Sequence, residues 1–342
     1  MKLNLDTAGG RPIYKQITEQ VEKAVRRGEI PAGEQLPSMN ELSAQMHISK
    51  ETVKKAYGIL RDKGVITPKQ GKGFYVSDPS DASRPLSVLV LFDKFSIYKQ
   101  VTYSAFLQEL GGRAEVTILI HNQSLDLLNY FLDNSLDDYD YYVITPHFPL
   151  DKASQEQALR LISRIPNRKL VMLDRLQPGH IGNFGAVYQD FDNDVYYGLA
   201  EGLDKLRASS VLKVVTFPDS LYGPFIRKGV ERFCTDYSIP VEFFSAVPER
   251  IEKQDTFLLL NSQIDQGLVE LSRRIRVQGL RVGTDVRIIS YNEFDLNEVV
   301  MGGLTTISTD FAEMGRIAAR MILQRSLHKI HCPFRMTRRS TF

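Results

Sequence analysis

Between Lys50 and Lys72 the chain sets seven basic residues (Lys50, Lys54, Lys55, Arg61, Lys63, Lys69 and Lys72) against two acidic ones, Glu51 and Asp62. A stripe of this kind can neutralise the phosphates of a nucleic-acid backbone, and each such contact releases condensed counterions. The imbalance is local: residues 1–78 hold 13 Lys+Arg against 9 Asp+Glu, while the whole 342-residue chain is only +2. A solvated helix face without a partner is the plainer account of such charge. Here, though, Lys72 is flanked by Gly71 and Gly73, and glycine lets a backbone approach a phosphate with no Cβ in the way. Double-stranded DNA is the partner these residues point to.

Other chemistries find little. No G-x-S-x-G, H-E-x-x-H or Walker A motif occurs, and Gly71-Lys72-Gly73 lacks both the preceding loop spacing and the following Ser/Thr of a P-loop. His328, His331 and Cys332 lie close together, but a single H-x-x-H-C has no second ligand pair. Asp137-Asp138 reads as a solvated turn. Neither metal nor cofactor is expected, and no enzymatic activity. Two cysteines, Cys234 and Cys332, argue against a disulfide scaffold and for a reducing compartment. No apolar run reaches about 18 residues, so a cytoplasmic protein without a membrane span is expected.

The elements that must position the basic stripe are legible. Pro12 opens a helix with Ile13, Ile17, Val21, Ala24 and Val25 at helical spacing, closed by Gly28. Ser38 and Glu41 form an S-x-x-E capping box for a second helix. After the turn His47-Ile48, Ser49 caps a third, with Val53, Ala56, Tyr57 and Leu60 as its buried stripe and Gly64 at its end. Val65-Ile66-Thr67 and Phe74-Tyr75-Val76 read as strands joined by the loop Pro68 to Gly73. Three helices and a basic hairpin make a winged helix-turn-helix, an α+β unit spanning 1–76. Prolines and polar turn residues then mark a linker, 77–85.

Beyond the linker, short apolar runs alternate with amphipathic stretches: Ser87 to Phe92, Val116 to Ile120, Tyr141 to Ile144, Leu170 to Leu173, Val211 to Thr216, Phe257 to Leu260 and Val286 to Ser290. That pattern predicts parallel sheets covered on both faces. Seven strands over residues 86–342 suit two α/β lobes with a cleft at the strands' carboxyl ends. The first lobe is placed at about 86–189 and 308–325, the second at about 190–307 and 330–342.

The N-terminal motifs Leu36-Pro37-Ser38, Glu41-Leu42-Ser43, Ser49-Lys50-Glu51-Thr52-Val53 and Gln70-Gly71-Lys72-Gly73 resemble the winged helix of the GntR family of bacterial transcription regulators. The resemblance implies that the third helix enters the major groove and the wing approaches the minor groove. DNA contacts then fall to Ser38, Asn40, Ser49, Lys50, Glu51, Thr52, Lys54, Lys55, Gln70, Gly71, Lys72 and Gly73. Asn40, Lys50 and Lys54 stand where that family usually carries arginine, and lysine lacks the bidentate fork that reads guanine.

Residues 86–342 resemble the sugar-sensing domain of the LacI/GalR regulators, a periplasmic-binding-protein-like type I fold. The resemblance rests on the order of Leu173-Asp174-Arg175, Val187-Tyr188-Gln189-Asp190, Gly229-Val230, Leu260-Asn261-Ser262, Ser290-Tyr291-Asn292-Glu293, Leu304-Thr305-Thr306-Ile307 and Arg338-Arg339-Ser340-Thr341. It implies an effector cleft built from Asp93, Phe95, Tyr98, Asp174, Arg175, Asp190, Tyr222, Arg227, Asn261 and Asn292. Planar amides and carboxylates would take paired hydroxyls, and aromatic faces would cover a sugar ring. A strand-end ion pair is the alternative for Asp174 and Arg175, and turn chemistry for Asn261 and Asn292. The two resemblances together imply a homodimeric, sugar- or sugar-phosphate-responsive repressor of carbohydrate-use genes. The alternatives are a sugar-binding module with a non-DNA partner and a carbohydrate-active enzyme.

Overall fold

Local signals set the first unit. In the computed structural model, which describes residues 3–6, 10–69, 72–77, 85–136, 138–216, 220–260 and 265–342, the chain divides into Met1–Pro85 and Leu86–Phe342. Helix α1 (Ile13–Arg26) follows Pro12, whose fixed φ suits a helix entry. Helix α2 (Met39–Met46) carries the full capping box at Ser38 and ends on His47 in the left-handed region at φ 51°. Helix α3 (Lys50–Asp62) is capped by Ser49. Strands β1 (Ile66–Lys69) and β2 (Gly73–Val76) pair antiparallel. Ile17, Val21, Leu36, Leu42, Val53, Tyr57, Leu60 and Ile66 close one core.

The hairpin corrects one expectation. Pro68 and Lys69, read as loop, belong to β1 and face Phe74 and Gly73. Proline is tolerated there because the Phe74 carbonyl accepts from the Leu36 N–H instead, so no ladder bond is lost.

The second unit contains two six-stranded sheets. The first lobe is built from β3 (Leu86–Phe92), α4 (Ile97–Leu110), β4 (Ala114–Ile120), α5 (Leu125–Ser135), β5 (Tyr141–Ile144), α6 (Lys152–Ile162), β6 (Leu170–Asp174) and β7 (Gly185–Tyr188). The second comprises α7 (Phe191–Ala200), α8 (Leu203–Leu206), β8 (Val211–Val215), α9 (Gly223–Tyr237), β9 (Val241–Phe244), β10 (Asp255–Leu259), α10 (Asp265–Val277), β11 (Arg287–Tyr291) and β12 (Thr305–Thr309). The chain then returns to the first lobe as α11 (Phe311–Gln324) and β13 (Lys329–His331), and crosses back as β14 (Phe334–Thr337). Strand orders are β13-β7-β6-β5-β3-β4 and β14-β12-β11-β10-β8-β9, all parallel except the β12–β14 pair. The lobes therefore repeat one topology.

Period-two alternation explains the double layer. In β3, Val88, Val90 and Phe92 pack toward α4 and α11, while Leu89 and Leu91 face α5 and α6. The last crossing falls at Cys332-Pro333, so Ile330 and His331, assigned from sequence to the second lobe, belong to the first. Their strand pairs with Val187 and Tyr188 of β7. No described helix is long and apolar enough to cross a membrane.

Candidate functional site

On the first unit, the exposed side chains of Lys50, Lys54 and Lys55 lie on α3 and that of Lys72 in the turn just before β2. Several neighbours are structurally engaged. Ser38 accepts from the Glu41 amide at 3.2 Å, and Ser49 from the Thr52 amide at 3.2 Å while sharing a 2.8 Å bond with the Thr52 hydroxyl. Those hydroxyls satisfy free helix-terminal amides, which stabilises α2 and α3 by roughly 1 kcal/mol each. Lys54 sits 3.6 Å from Glu51, and Lys55 4.0 Å over the ring of Tyr14 on α1. Asn40 is exposed in the first turn of α2. Gln35 donates to the Lys72 carbonyl at 2.6 Å and pins the hairpin, where Gly73 has φ 97°. Gln70 and Gly71 lie outside the described residues.

In the second unit the carboxyl ends of β3, β5 and β6 bring together Asp93, His147 and Asp174, and α4 inserts Lys99 among them. Lys99 Nζ bonds Asp174 Oδ2 and lies 3.4 Å from Asp93 Oδ1. His147 Nδ1 is 3.5 Å from Asp93 Oδ2, while its Nε2 sits 3.2 Å from Asp174 Oδ2 but out of line for a hydrogen bond. Thr145 donates to Asp93 Oδ1 at 3.1 Å. All four charged or ionisable side chains are buried.

Burial alone would strip the proton from Lys99, but Asp174 and Asp93 override it and raise its pKa. Burial equally opposes ionisation of Asp174, yet Lys99 and then His147 hold that carboxyl well below the usual carboxylate range. Asp93 is lowered by the same contest. Two carboxylates this close both stay ionised only when a cation lies between them. His121, stacked on Phe148, is pushed down to about 4 by burial.

The second lobe supplies the facing wall. Tyr222, at the N-terminus of α9, stacks on Phe191 with ring centroids 4.4 Å apart and meets His147 edge-on at 4.9 Å. Arg175 lies 5.3 Å from the Tyr222 ring. Asn292, just past β11, faces Tyr98, whose hydroxyl is pushed up to about 12 by burial. Asp174 ends and Asn292 directly follows the fourth strand of its lobe, β6 and β11, and both adopt positive φ, 74° and 77°. Strained backbone of this kind persists where surrounding structure dictates it, often at binding sites. Buried polar atoms without a hydrogen-bond partner converge here: Asp93 Oδ2, His147 Nε2, Arg175 Nη1, Tyr222 Oη, Asn292 Oδ1 and Glu293 Oε1.

Of the residues singled out from sequence, Asp93, Tyr98, Asp174, Arg175, Tyr222 and Asn292 are thus gathered. Asp174 pairs with Lys99 and not with Arg175, against the ion-pair alternative. Arg227 is on the outer face of α9, bonded to Glu231 at 2.7 Å and 4.1 Å over Phe243, because Ile226 takes the inward position of that turn. Phe95 is 71% exposed and joins no wall of the cleft. Asp190 bonds Asn193 at the start of α7. Asn261 lies outside the described residues.

Lys99, His147 and Gln189 were missed. His147 follows a strand end, a position that could have marked it. Lys99 carried no signal, since lysine in the first turn of a helix reads as solvated. Gln189, on the first crossing between lobes, donates to Asp174 Oδ1 and accepts from Thr309 on the second at 2.6 Å. It ties the site to the hinge.

A second hinge contact joins His331 of β13 to Asp194 of α7 at 2.7 Å. Burial pushes the Asp194 carboxyl up to about 6, with His331 opposing. A carboxyl raised on folding binds its proton more tightly in the native state, so its contribution to stability falls as pH rises from about 4 to about 6. The melting temperature of wild type relative to Asp194→Asn should therefore drop across that window; a constant difference would refute the buried-acid reading.

Residues 13–76 match the family described as bacterial regulatory proteins, gntR family, and residues 245–340 a periplasmic binding protein-like domain. The HTH-type transcriptional regulator Rv1152 of Mycobacterium tuberculosis is 32% identical over 83 residues, 24% of this chain and 69% of that protein. The arabinose metabolism transcriptional repressor of Geobacillus stearothermophilus is 23% identical over 361 residues, with 93% of each chain covered. Among solved structures, a dimeric Lac repressor matches at TM-score 0.58 and 19% identity, covering 75% of this chain and 98% of that one. The trehalose repressor of Escherichia coli matches at TM-score 0.57 and 14% identity, covering 74% and 99%. The winged helix with its basic third helix, and the two lobes around a buried polar cleft, are thus both accounted for: the chain belongs to the gntR family of bacterial regulatory proteins, DNA-binding transcription regulators, and carries a periplasmic-binding-protein-like second unit.

Proposed function

We propose that the protein is a cytoplasmic, homodimeric repressor of carbohydrate-use genes that binds operator DNA through α3 and the wing and is controlled by a monosaccharide or sugar phosphate between its lobes. The observation that carries this reading is the set of buried, unpartnered polar atoms at the strand ends, roofed by the Tyr222–Phe191 stack. Hydroxyls of a sugar complete such a set, and an aromatic face covers its C–H surface. The relatives' names, which include repressors of arabinose metabolism and trehalose, support the carbohydrate reading. Ligand binding changes the relation of the lobes through the crossings at Gln189, Thr309 and His331, and the differential affinity of the two arrangements sets DNA binding. A dimer would read half-sites about 34–36 Å apart or multiples of that.

A thermal-shift screen against sugars tests the sensor: a ligand at about 100 times its Kd adds about 2.7 kcal/mol to native stability. A gel shift on the gene's own upstream region tests the DNA side, and failure to retard that DNA at moderate salt counts against the repressor. Lys50→Ala and Lys54→Ala should each weaken operator binding and reduce the slope of log K against log[salt] by about one unit, with melting unchanged. The Lys54–Glu51 pair is exposed and contributes little to stability. Unaltered slopes in both variants would remove α3 from the interface.

A further inference from the structure

We infer that Lys99 sets the charge class of the effector: by neutralising the Asp93–Asp174 pair it leaves a site that accepts an uncharged, hydroxyl-rich ligand and rejects its phosphorylated or carboxylate-bearing counterparts. The inference rests on the sensor reading above and narrows it.

The argument is one of donors, acceptors and charge. Lys99 is committed: its ammonium bonds Asp174 and lies 3.4 Å from Asp93, so none of its charge remains for a ligand phosphate. Arg339, the other cation near the site, is held by Glu293 at 2.8 Å and by the Leu304 carbonyl at 2.8 Å. Of these cations Arg175 is the one that keeps an unpartnered buried donor, and the Tyr222 hydroxyl beside it is unpartnered as well. Against one cationic donor stand three unpartnered acceptors, Asp93 Oδ2, Asn292 Oδ1 and Glu293 Oε1. Phosphate brings almost only acceptors and a charge near −2, and would meet two carboxylates with Arg175 as its single cationic donor. Sugar hydroxyls bring donors without charge. The cations Lys99, Arg175 and Arg339 equal in number the carboxylates Asp93, Asp174 and Glu293, so a cationic ligand gains nothing over a neutral one.

Lys99 is a positioning residue in this scheme, acting through the two carboxylates. Without its charge, Asp93 and Asp174 would share a proton at neutral pH, and a bound hydroxyl would lose an ionised acceptor. The groups facing the pair are His147 and His121 from the strand ends, Arg175, and Tyr222 from the opposite lobe. K99R keeps the charge at this position while K99Q removes it, so the comparison between the two variants isolates its effect.

The test uses the full-length protein and a panel of neutral pentoses, hexoses and 6-deoxyhexoses, their phosphates, the matching uronic acids and the matching amino sugars, read by thermal shift and then by calorimetry. A neutral sugar should bind, with its phosphate, uronate and amine at least tenfold weaker. Tighter binding of any charged counterpart overturns the inference while leaving the sensor reading standing. No binding by any member overturns both. In the second arm, K99Q should weaken the neutral sugar further as pH falls from 8 to 6, by roughly tenfold relative to wild type, and K99R should restore the wild-type profile. A K99Q profile parallel to wild type overturns the role of Lys99. Should K99Q fail to fold, the wild-type panel still decides the charge class.

Discussion

Asp174→Asn is expected to cost the second unit about 3 kcal/mol of stability, the range found when one partner of a buried ion pair is deleted, and to abolish its response to effector. The substitution is nearly isosteric, and asparagine tolerates the positive φ of 74° at this position, so backbone strain is not added. What changes is the count of acceptors. The carboxylate serves Lys99 with one oxygen and Gln189 with the other. An amide has one oxygen, so either the buried ammonium or the buried Gln189 amide loses its partner, and the new Nδ2 donors face donors. Lys99 would keep only Asp93, at 3.4 Å. For a unit of this size, 3 kcal/mol lowers the melting temperature by roughly 6–10 °C. Adding Lys99→Met should recover part of the loss, since removing both charges is far cheaper than removing one. A double variant no more stable than Asp174→Asn would show that the Lys99–Asp174 pair is not the origin of the effect.

The contrast between readable and unreadable parts of the chain has physical causes. The winged helix was legible because its signals are local: Ser38 with Glu41, Ser49 with Thr52, and Gly64 at the end of α3 each act within one turn. Strands of the second unit were legible where they carry an unbroken apolar run, as from Val88 to Phe92 in β3 and from Leu170 to Leu173 in β6. Strand β12 was not, because Thr305–Thr309 is mostly hydroxyl residues that are nonetheless fully buried. Its hydroxyls are satisfied across long sequence distances: Thr305 by the Arg339 carbonyl, Thr306 by Glu293 and Thr309 by Gln189. Such partners cannot be seen in a window of neighbouring residues. Strand β7, Gly185–Tyr188, was hidden by its small residues, which the packing demands, for a Cβ on Gly185 would come within 3.2 Å of the Ser326 carbonyl oxygen. The cleft was half legible for a related reason. Asp93, Asp174 and Asn292 end strands and could be placed by topology, whereas Lys99 enters from a helix and becomes a site residue only once α4 docks.

Two glycines in helix interiors should respond to alanine with opposite signs. In an exposed helix, Gly→Ala gains up to about 1 kcal/mol, because glycine loses more backbone entropy on folding. Gly58, in the middle of α3, has nothing within 4 Å of the position a Cβ would take. Gly58→Ala should therefore raise the melting temperature of the winged-helix unit by a few degrees, on the order of 4 °C for a unit so small. Gly315 sits in α11 where that helix crosses α4, and a Cβ there would collide with the Thr102 carbonyl oxygen and come within 3.0 Å of the Phe106 amide nitrogen. Both obstacles are backbone of a packed helix, so no flexible side chain can swing away. Helix α4 would have to move, prising Tyr98 from its 5.0 Å stack on Phe311 and shifting Lys99 in the same turn. Overpacking of this kind costs about 1–3 kcal/mol, and more where backbone must shift. Against the propensity gain, a net loss of about 2–3 kcal/mol is expected from Gly315→Ala, with weakened effector binding because the cleft residues on α4 move with it. Separate melting transitions of the two units give the readout. If Gly315→Ala were neutral or stabilising, α4 would be free to slide on α11, and the position of Lys99 between its two carboxylates would not be fixed by that packing.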